Sequence, residues 1–255
     1  MWEASHVVAE RLVELLDPAH ESTVLELAAG PGDTGFLAAR RLGPGGRLIS
    51  SDFAPEMVEA ARRRAAELEV TNVEFRVIDG QAIGLEDASV DGVLCRWGYM
   101  LMPEPAAGLS ETRRVLRAKA RVAFAVWGSA DENRWGSTVG RVLVESGLLE
   151  RPEPDTPGPF RLQDPERLRS LVEEAGLDLV SLEDVEVTWR YASFDEYWES
   201  TRDVSRMLSS VLARLDAAEE AVLRAGVEAG LAAYAGDDGL AIPGVCRVVL
   251  AARPA

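Results

Sequence analysis

The sequence predicts an α/β fold, a doubly wound sheet of seven strands that alternate with helices. Three observations carry this expectation. Short apolar runs alternate with stretches of helical periodicity, a glycine-rich turn follows the first apolar run, and residues 121–127 form an unbroken apolar segment of the kind covered on both faces. The sheet is expected to be mostly parallel with an antiparallel last strand, and a helical cap over residues 190–240 is expected before that strand. Residues 1–255 read as one domain.

Each element has its own signal. In residues 4–16, Val7, Val8, Arg11, Leu12 and Leu15 recur at helical spacing, and Asp17 with Pro18 ends that helix. Residues 23–27 are the first strand. A helix at 36–42 closes at Gly43, and a second strand at 46–51 leads to Asp52. Pro55 suits a first helical turn, and Met57, Val58, Ala61, Ala65 and Leu68 make one apolar face, with Arg62, Arg63 and Arg64 on the solvated side. Val73, Phe75 and Val77 alternate with Glu74 and Arg76 in a half-buried third strand that ends at Asp79 and Gly80. Residues 90–96 are the fourth strand, 105–116 a helix and 121–127 the fifth strand.

After one further helix the chain becomes Pro-rich, and residues 151–159 read as an extended loop. Asp164, Pro165 and Glu166 start a helix whose buried stripe is Leu168, Leu171, Val172 and Ala175 and whose stop is Gly176. Residues 177–189 form a sixth strand. Ser193 and Glu196 are a capping pair that opens the cap, a second cap helix covers 216–234, and the last strand is 243–252.

Composition narrows the function. There are 27 basic and 43 acidic residues, a net charge of -16, so a nucleic acid would meet a repulsive field. Cys95 and Cys246 lie in strand-like runs, where a thiol acts as a small hydrophobe; they imply neither a disulfide framework nor a metal cluster. No apolar run approaches the roughly 18 residues of a membrane span, and the first residues lack a signal-peptide core. The expected location is a reducing cytoplasm.

The most informative segment is residues 23–35, Thr-Val-Leu-Glu-Leu-Ala-Ala-Gly-Pro-Gly-Asp-Thr-Gly. Gly30, Gly32 and Gly35 satisfy G-x-G-x-x-G, a pattern that lets backbone approach a ligand closely and suits NAD, FAD or S-adenosylmethionine equally. Glu26 discriminates among them. A carboxylate in this turn is awkward beside a pyrophosphate and suits an ammonium and a sulfonium. Ligands of open α/β sheets bind beyond the carboxyl ends of the strands. Four motifs fall there in succession: residues 26–35, Asp52, Asp79-Gly80-Gln81 and Arg96-Trp97-Gly98-Tyr99. Asp52 can accept from both hydroxyls of a ribose, a role that NAD would use as well. Asp79 adds an acceptor for an adenine amino group beside a glycine.

With Pro55-Glu56-Met57, this series resembles the class I S-adenosylmethionine-dependent methyltransferases, and it is similar to the ubiquinone and menaquinone biosynthesis (methyltransferase type 11) family over residues 24–127. The resemblance implies a Rossmann-like sheet and S-adenosylmethionine as cofactor. It implies that Glu26, Gly30 and Gly32 hold the methionine part, Asp52 the ribose and Asp79 with Gln81 the adenine, while Arg96 offers its backbone carbonyl near the ammonium. Ala28, Phe53, Met57, Gly80 and Trp97 complete the expected cofactor set. Tyr99, Met100, Trp127 and Tyr197 are candidates for the acceptor pocket, although Trp127, Trp135, Tyr191 and Trp198 also read as packing residues. No metal ligand or general base is identified, and His6 and His20 sit in no motif.

One departure is Arg117-Ala118-Lys119-Ala120-Arg121, where the family turns into its next strand through Pro-Gly-Gly; this turn is expected on the sheet edge away from the cofactor. The implied activity is metal-free, in-line methyl transfer to a small, fairly apolar acceptor, with no nucleic acid partner and no membrane span. Two alternatives stay open at this point: an NAD-dependent oxidoreductase using the same loop, for which no Tyr-x-x-x-Lys pair is present, and a non-catalytic S-adenosylmethionine-binding module. The oligomeric state is not legible.

Overall fold

The computed structural model describes residues 2–153 and 155–255; Pro154, inside the expected loop 151–159, lies outside the described residues. Helix α1 (Trp2–Leu16) precedes β1 (Thr23–Glu26), α2 (Asp33–Arg41), β2 (Arg47–Asp52), α3 (Pro55–Glu67), β3 (Val73–Val77), β4 (Val90–Arg96), α4 (Pro105–Val115) and β5 (Leu116–Trp127). Then come α5 (Arg134–Glu145), α6 (Pro165–Glu174), β6 (Asp178–Tyr191), α7 (Phe194–Val204), α8 (Arg206–Leu212), α9 (Ala217–Leu231), β7 (Ala235–Gly236) and β8 (Gly239–Ala252).

The strands lie in the order β3-β2-β1-β4-β5-β8-β6, with β7 paired to β8. Neighbours from β3 through β5 run parallel, and β8 is antiparallel to both β5 and β6. The doubly wound class and the antiparallel last strand are therefore as expected. The count differs: among the described residues the sheet has eight strands rather than seven, because the two residues of β7 fold back on the start of β8, with Gly236 opposite Gly239. So short an arm carries no periodic signal. The chain winds one way from β1 to β3 and the other way from β4 to β5, which leaves a crevice beyond the carboxyl ends of β1 and β4.

A second correction concerns residues 117–121. They are not a turn before the strand; β5 starts at Leu116 beside Val90, and the register then jumps to Arg121 beside Gly92. The residues between bulge out, with Lys119 at φ 65° and its amide donating to the Arg253 carbonyl at 2.9 Å. A β-bulge accommodates extra residues without Pro or Gly because one left-handed residue absorbs the detour. The bulge sits at the amino end of β5, the end opposite the crevice.

The core follows from the pattern. Val122, Ala123, Phe124, Ala125, Val126 and Trp127 are all buried, and α1 covers β4 and β5 with Val8, Leu12, Val13 and Leu16. Full burial of such an aliphatic side chain contributes about 1.5–3 kcal/mol. On the other side of the crevice, α9 lies against α5 through Gly226 and Gly230, where an added Cβ would stand 3.1 Å from Val142 Cγ1 and 2.8 Å from Thr138 Cγ2. Ser193 caps α7 by accepting the Glu196 amide, but Glu196 reaches Ala192 instead of Ser193. The reciprocal box is at α9, between Asp216 and Glu219.

Candidate cofactor and acceptor site

The site begins where β1 ends. Ala28, Gly30 and Gly32 have φ of 51°, 53° and 90°, so three left-handed residues within five turn the chain sharply into α2. Glu26 lies beneath this turn, only 2% exposed, and its Oε1 accepts the Gly35 amide at 2.7 Å. A Cβ on Gly35 would overlap Glu26 Oε2, and one on Gly32 would enter the Phe36 ring. Gly30 is different: nothing lies within 4 Å of its missing side chain. Two glycines thus serve close packing, and the third leaves the mouth of the loop open. Burial pushes the Glu26 carboxyl up to about 8, against the opposing effects of the Gly35 amide and the Arg96 charge.

Asp52 closes the loop from β2. Its Oδ2 accepts the Gly30 amide at 2.8 Å and its Oδ1 the Ala54 amide at 3.0 Å. Phe53 and Met57 stand beside it, 74% and 42% exposed. Beyond β3, Asp79 Oδ1 accepts from the Gln81 amide and from Gln81 Nε2, at 2.9 and 3.2 Å, while Gln81 Oε1 accepts the Glu104 amide. Gly80 lies against the Met102 thioether, whose Cε would stand 2.4 Å from an added Cβ.

At the end of β4, Trp97 has φ 63° and its amide donates to the Ala125 carbonyl. Gly98 lets this turn press against the first loop, since a Cβ would stand 2.6 Å from Ala28 Cβ. The glycine loop and the β4 turn are thereby brought into contact. The Arg96 guanidinium lies over the Trp97 ring, 4.4 Å from its centroid, and Arg96 Nε donates to Thr34 Oγ1 at 2.8 Å. Trp97 stacks on Trp127 at 4.3 Å and donates Nε1 to Cys246 Sγ at 3.2 Å. Trp135 and Trp189 extend this group, 4.9 and 6.0 Å from Trp127.

The remaining acceptor candidates are placed differently. Tyr99 is fully buried, its ring edge-on to Phe124 and its hydroxyl 2.5 Å from Thr112 Oγ1, and burial raises its phenol well above the ordinary range. Met100 is buried beside it, and its carbonyl accepts the Gly158 amide from the Pro-rich loop. Tyr197 donates its hydroxyl to the Trp135 carbonyl and packs with Tyr191 and Phe194 on the cap side. Thr34 and Trp189 are the residues near the site that sequence reasoning missed. Thr34 sits inside the glycine motif but at one of its unspecified positions, and Trp189 lies in no motif; each arrives through packing, of α2 on β4 and of β6 beyond the end of β5.

The residues fit an adenosyl cofactor: Glu26 and Asp52, which end β1 and β2, each accept an amide of the glycine motif, the loop is open at Gly30, and Asp79 follows β3 on the next strand over. A Rossmann-like α/β protein with a nucleotide-type crevice is the class that fold and site define. Comparison with known proteins makes this particular. Residues 19–142 match the family model described as a methyltransferase domain, Methyltransf_31. An arsenite methyltransferase of Halobacterium salinarum is 29% identical over 74% of this chain and 44% of its own length. A ubiquinone/menaquinone biosynthesis C-methyltransferase of Bradyrhizobium diazoefficiens is 32% identical over 43% of this chain and 45% of its own. The chain spans about half the length of the curated relatives it matches. A crystal structure of a putative methyltransferase from Bacillus halodurans superposes with a TM-score of 0.66 at 17% identity, covering 97% of this chain and 99% of that one, and so shares the fold.

Over residues 19–142, 124 of its 255, the chain is similar to methyltransferase domains, the ubiquinone and menaquinone C-methyltransferases among them, and this similarity supports S-adenosylmethionine as the cofactor. The NAD alternative gives way to this finding. No helix among the described residues is long and apolar enough to cross a membrane.

Proposed function

We propose that this chain transfers a methyl group from S-adenosylmethionine to a small, fairly apolar acceptor without a metal ion. The observation that carries the reading is that Glu26 and Asp52, which end β1 and β2, each accept an amide of the glycine motif, whose Gly30 face is open. Glu26 holds the loop from beneath through the Gly35 amide, and Gly30, Gly32 and Ala28 let backbone line the methionine part. Asp52 is itself positioned by two amides and keeps lone pairs for the ribose hydroxyls. Asp79 and Gln81, locked to each other beside Gly80, take the adenine amino group, while Phe53 and Met57 cover its ring.

The cofactor supplies a methyl group already activated on a sulfonium. The protein's part is then orientation and exclusion of water, which need no metal and no strong base. Among the described residues no group of three or more His, Cys, Asp and Glu side chains is arranged to hold a metal ion. Trp97, Trp127, Trp135 and Trp189 supply an apolar aromatic wall at the ends of β4, β5 and β6, and Tyr197 joins it through the Trp135 carbonyl. Helices α7, α8 and α9, within the cap at 190–240, select the acceptor. The relatives named for arsenite and for ubiquinone and menaquinone biosynthesis support a small acceptor, and the net charge of -16 disfavours nucleic acid. Two free, buried cysteines fit a reducing cytoplasm.

Calorimetry with S-adenosylmethionine, S-adenosylhomocysteine and NADH tests the cofactor site: binding of the first two and not the third is expected, and tight binding of NADH alone overturns the reading. Transfer of a labelled methyl group to a panel of small aromatic acceptors, RNA and protein tests the acceptor class. Labelling confined to the macromolecules would sink it, and binding without turnover of any acceptor would leave a cofactor-binding module.

A further inference from the structure

We propose that the Arg96 guanidinium binds the α-carboxylate of S-adenosylmethionine, so that the methionine end of the cofactor is recognised as a zwitterion and not only as a cation. This rests on the cofactor site proposed above. The resemblance implies a role for the Arg96 backbone alone; the side chain lies between the first turn of α2 and the Trp97 ring, 12% exposed.

A buried cation needs acceptors, and here most are missing. Arg96 Nε is committed to Thr34 Oγ1. Its nearest carboxylate contact is Asp33 Oδ2, 3.9 Å from a terminal nitrogen, which is beyond hydrogen-bond reach. Asp33 is also ion-paired with Arg64, whose Nε stands 2.9 Å from Oδ1. Glu26, the other nearby acid, points its oxygens at the Gly35 amide and Ser50 hydroxyl. The terminal amino groups of Arg96 therefore make no hydrogen bond to any described residue. A guanidinium left with a free fork is complementary to a carboxylate, which it binds through two parallel N–H groups.

The fork is also held in place. Its plane rests on Trp97, which is fixed by the stack on Trp127 and the bond to Cys246, so little rotamer freedom remains to be lost on binding. Arg96 ends β4, directly beside the glycine loop, and the Gly98 contact with Ala28 fixes that neighbourhood. One residue thus faces both ends of an amino acid, its carbonyl toward the ammonium and its side chain toward the carboxylate.

The test compares S-adenosylmethionine with decarboxylated S-adenosylmethionine, which keeps the adenosine, sulfonium and ammonium. Calorimetry is run on the wild type, Arg96→Met and Arg96→Lys, with thermal melts to confirm folding. The wild type should prefer the carboxylated cofactor by about 10- to 100-fold, the range of a charge-assisted pair. Arg96→Met should erase that preference by weakening only the carboxylated ligand, and Arg96→Lys should restore part of it. Equal weakening of both ligands would make Arg96 a latch between β4 and α2 and overturn the proposal. So would equal wild-type affinity for the two ligands, a result that stands even if the variants fail to fold. A wild type that binds neither ligand overturns the cofactor site itself.

Discussion

Glu26 accepts the backbone amide of Gly35 at 2.7 Å, and the space that a side chain on Gly35 would need is already filled by the other oxygen of the same carboxylate. Strand β1 and the first turn of α2 are thus joined by an acid that requires a glycine. Gly35→Ala should destabilise the fold by about 1–3 kcal/mol, as overpacking of a closed site does, since Leu48 Cδ2 also lies 2.9 Å from the added carbon. Gly30→Ala meets no atom within 4 Å and pays only for its φ of 53°, about 1–2 kcal/mol. Its effect should fall on cofactor affinity. Urea unfolding and calorimetry on the two variants separate these outcomes.

The same acid should make stability depend on pH. Burial pushes Glu26 up to about 8, so the folded chain keeps a proton that the unfolded chain releases near 4.5. The contribution of this group is intact below about 4.5 and drains away as pH rises to about 8. Glu26→Gln stays neutral throughout. Its melting temperature relative to the wild type should therefore rise between pH 5 and pH 9, by an amount worth a few kcal/mol at about 1.4 kcal/mol per unit. A difference that does not change with pH would mean that Glu26 titrates normally.

Asp52 carries two jobs that substitutions can separate. Asp52→Asn keeps its shape, loses its charge and can accept only one of the two amides, because its NH2 group only donates; it should weaken S-adenosylmethionine binding by about 1.5–3 kcal/mol with a partial loss of stability. Asp52→Ala also strands the Gly30 and Ala54 amides, so it should lower both affinity and stability. Unchanged affinity in both variants would remove Asp52 from the site.

Trp127 is buried at the centre of the aromatic wall, between Trp97 and Trp135. Trp127→Ala should cost about 3–5 kcal/mol in chemical unfolding, as large-to-small changes in a packed core do. Trp127→Phe should recover most of that. A loss below about 1 kcal/mol for the alanine variant would show that the wall is loosely packed.

Local rules explain what could be read from the chain. Val122 to Trp127 announce a strand covered on both faces, and the φ requirements of Gly30 and Gly32 announce a tight turn, because both signals depend on neighbours in sequence. The bulge at 117–120 and the two residues of β7 were not legible. The first needs Val90 and Gly92 on the adjacent strand to define its register, and the second is too short to show periodicity. Asp52 and Asp79 could be named as strand-end acids, but not the amides that orient them, which come from Gly30, Ala54 and Gln81.

By itself, then, the sequence determined the alternation of strands and helices, the glycine loop with its acid, and the class of cofactor those imply. Folding decided how the pieces meet. Thr34 and Trp97 take hold of the Arg96 side chain only because α2 packs on the end of β4, and four tryptophans spread over 93 positions, from Trp97 to Trp189, gather because β6 and β8 rise past the end of β5. Backbone conformation is governed by near neighbours and leaves its trace in the chain; a charge left without an acceptor is a property of surroundings assembled from distant segments.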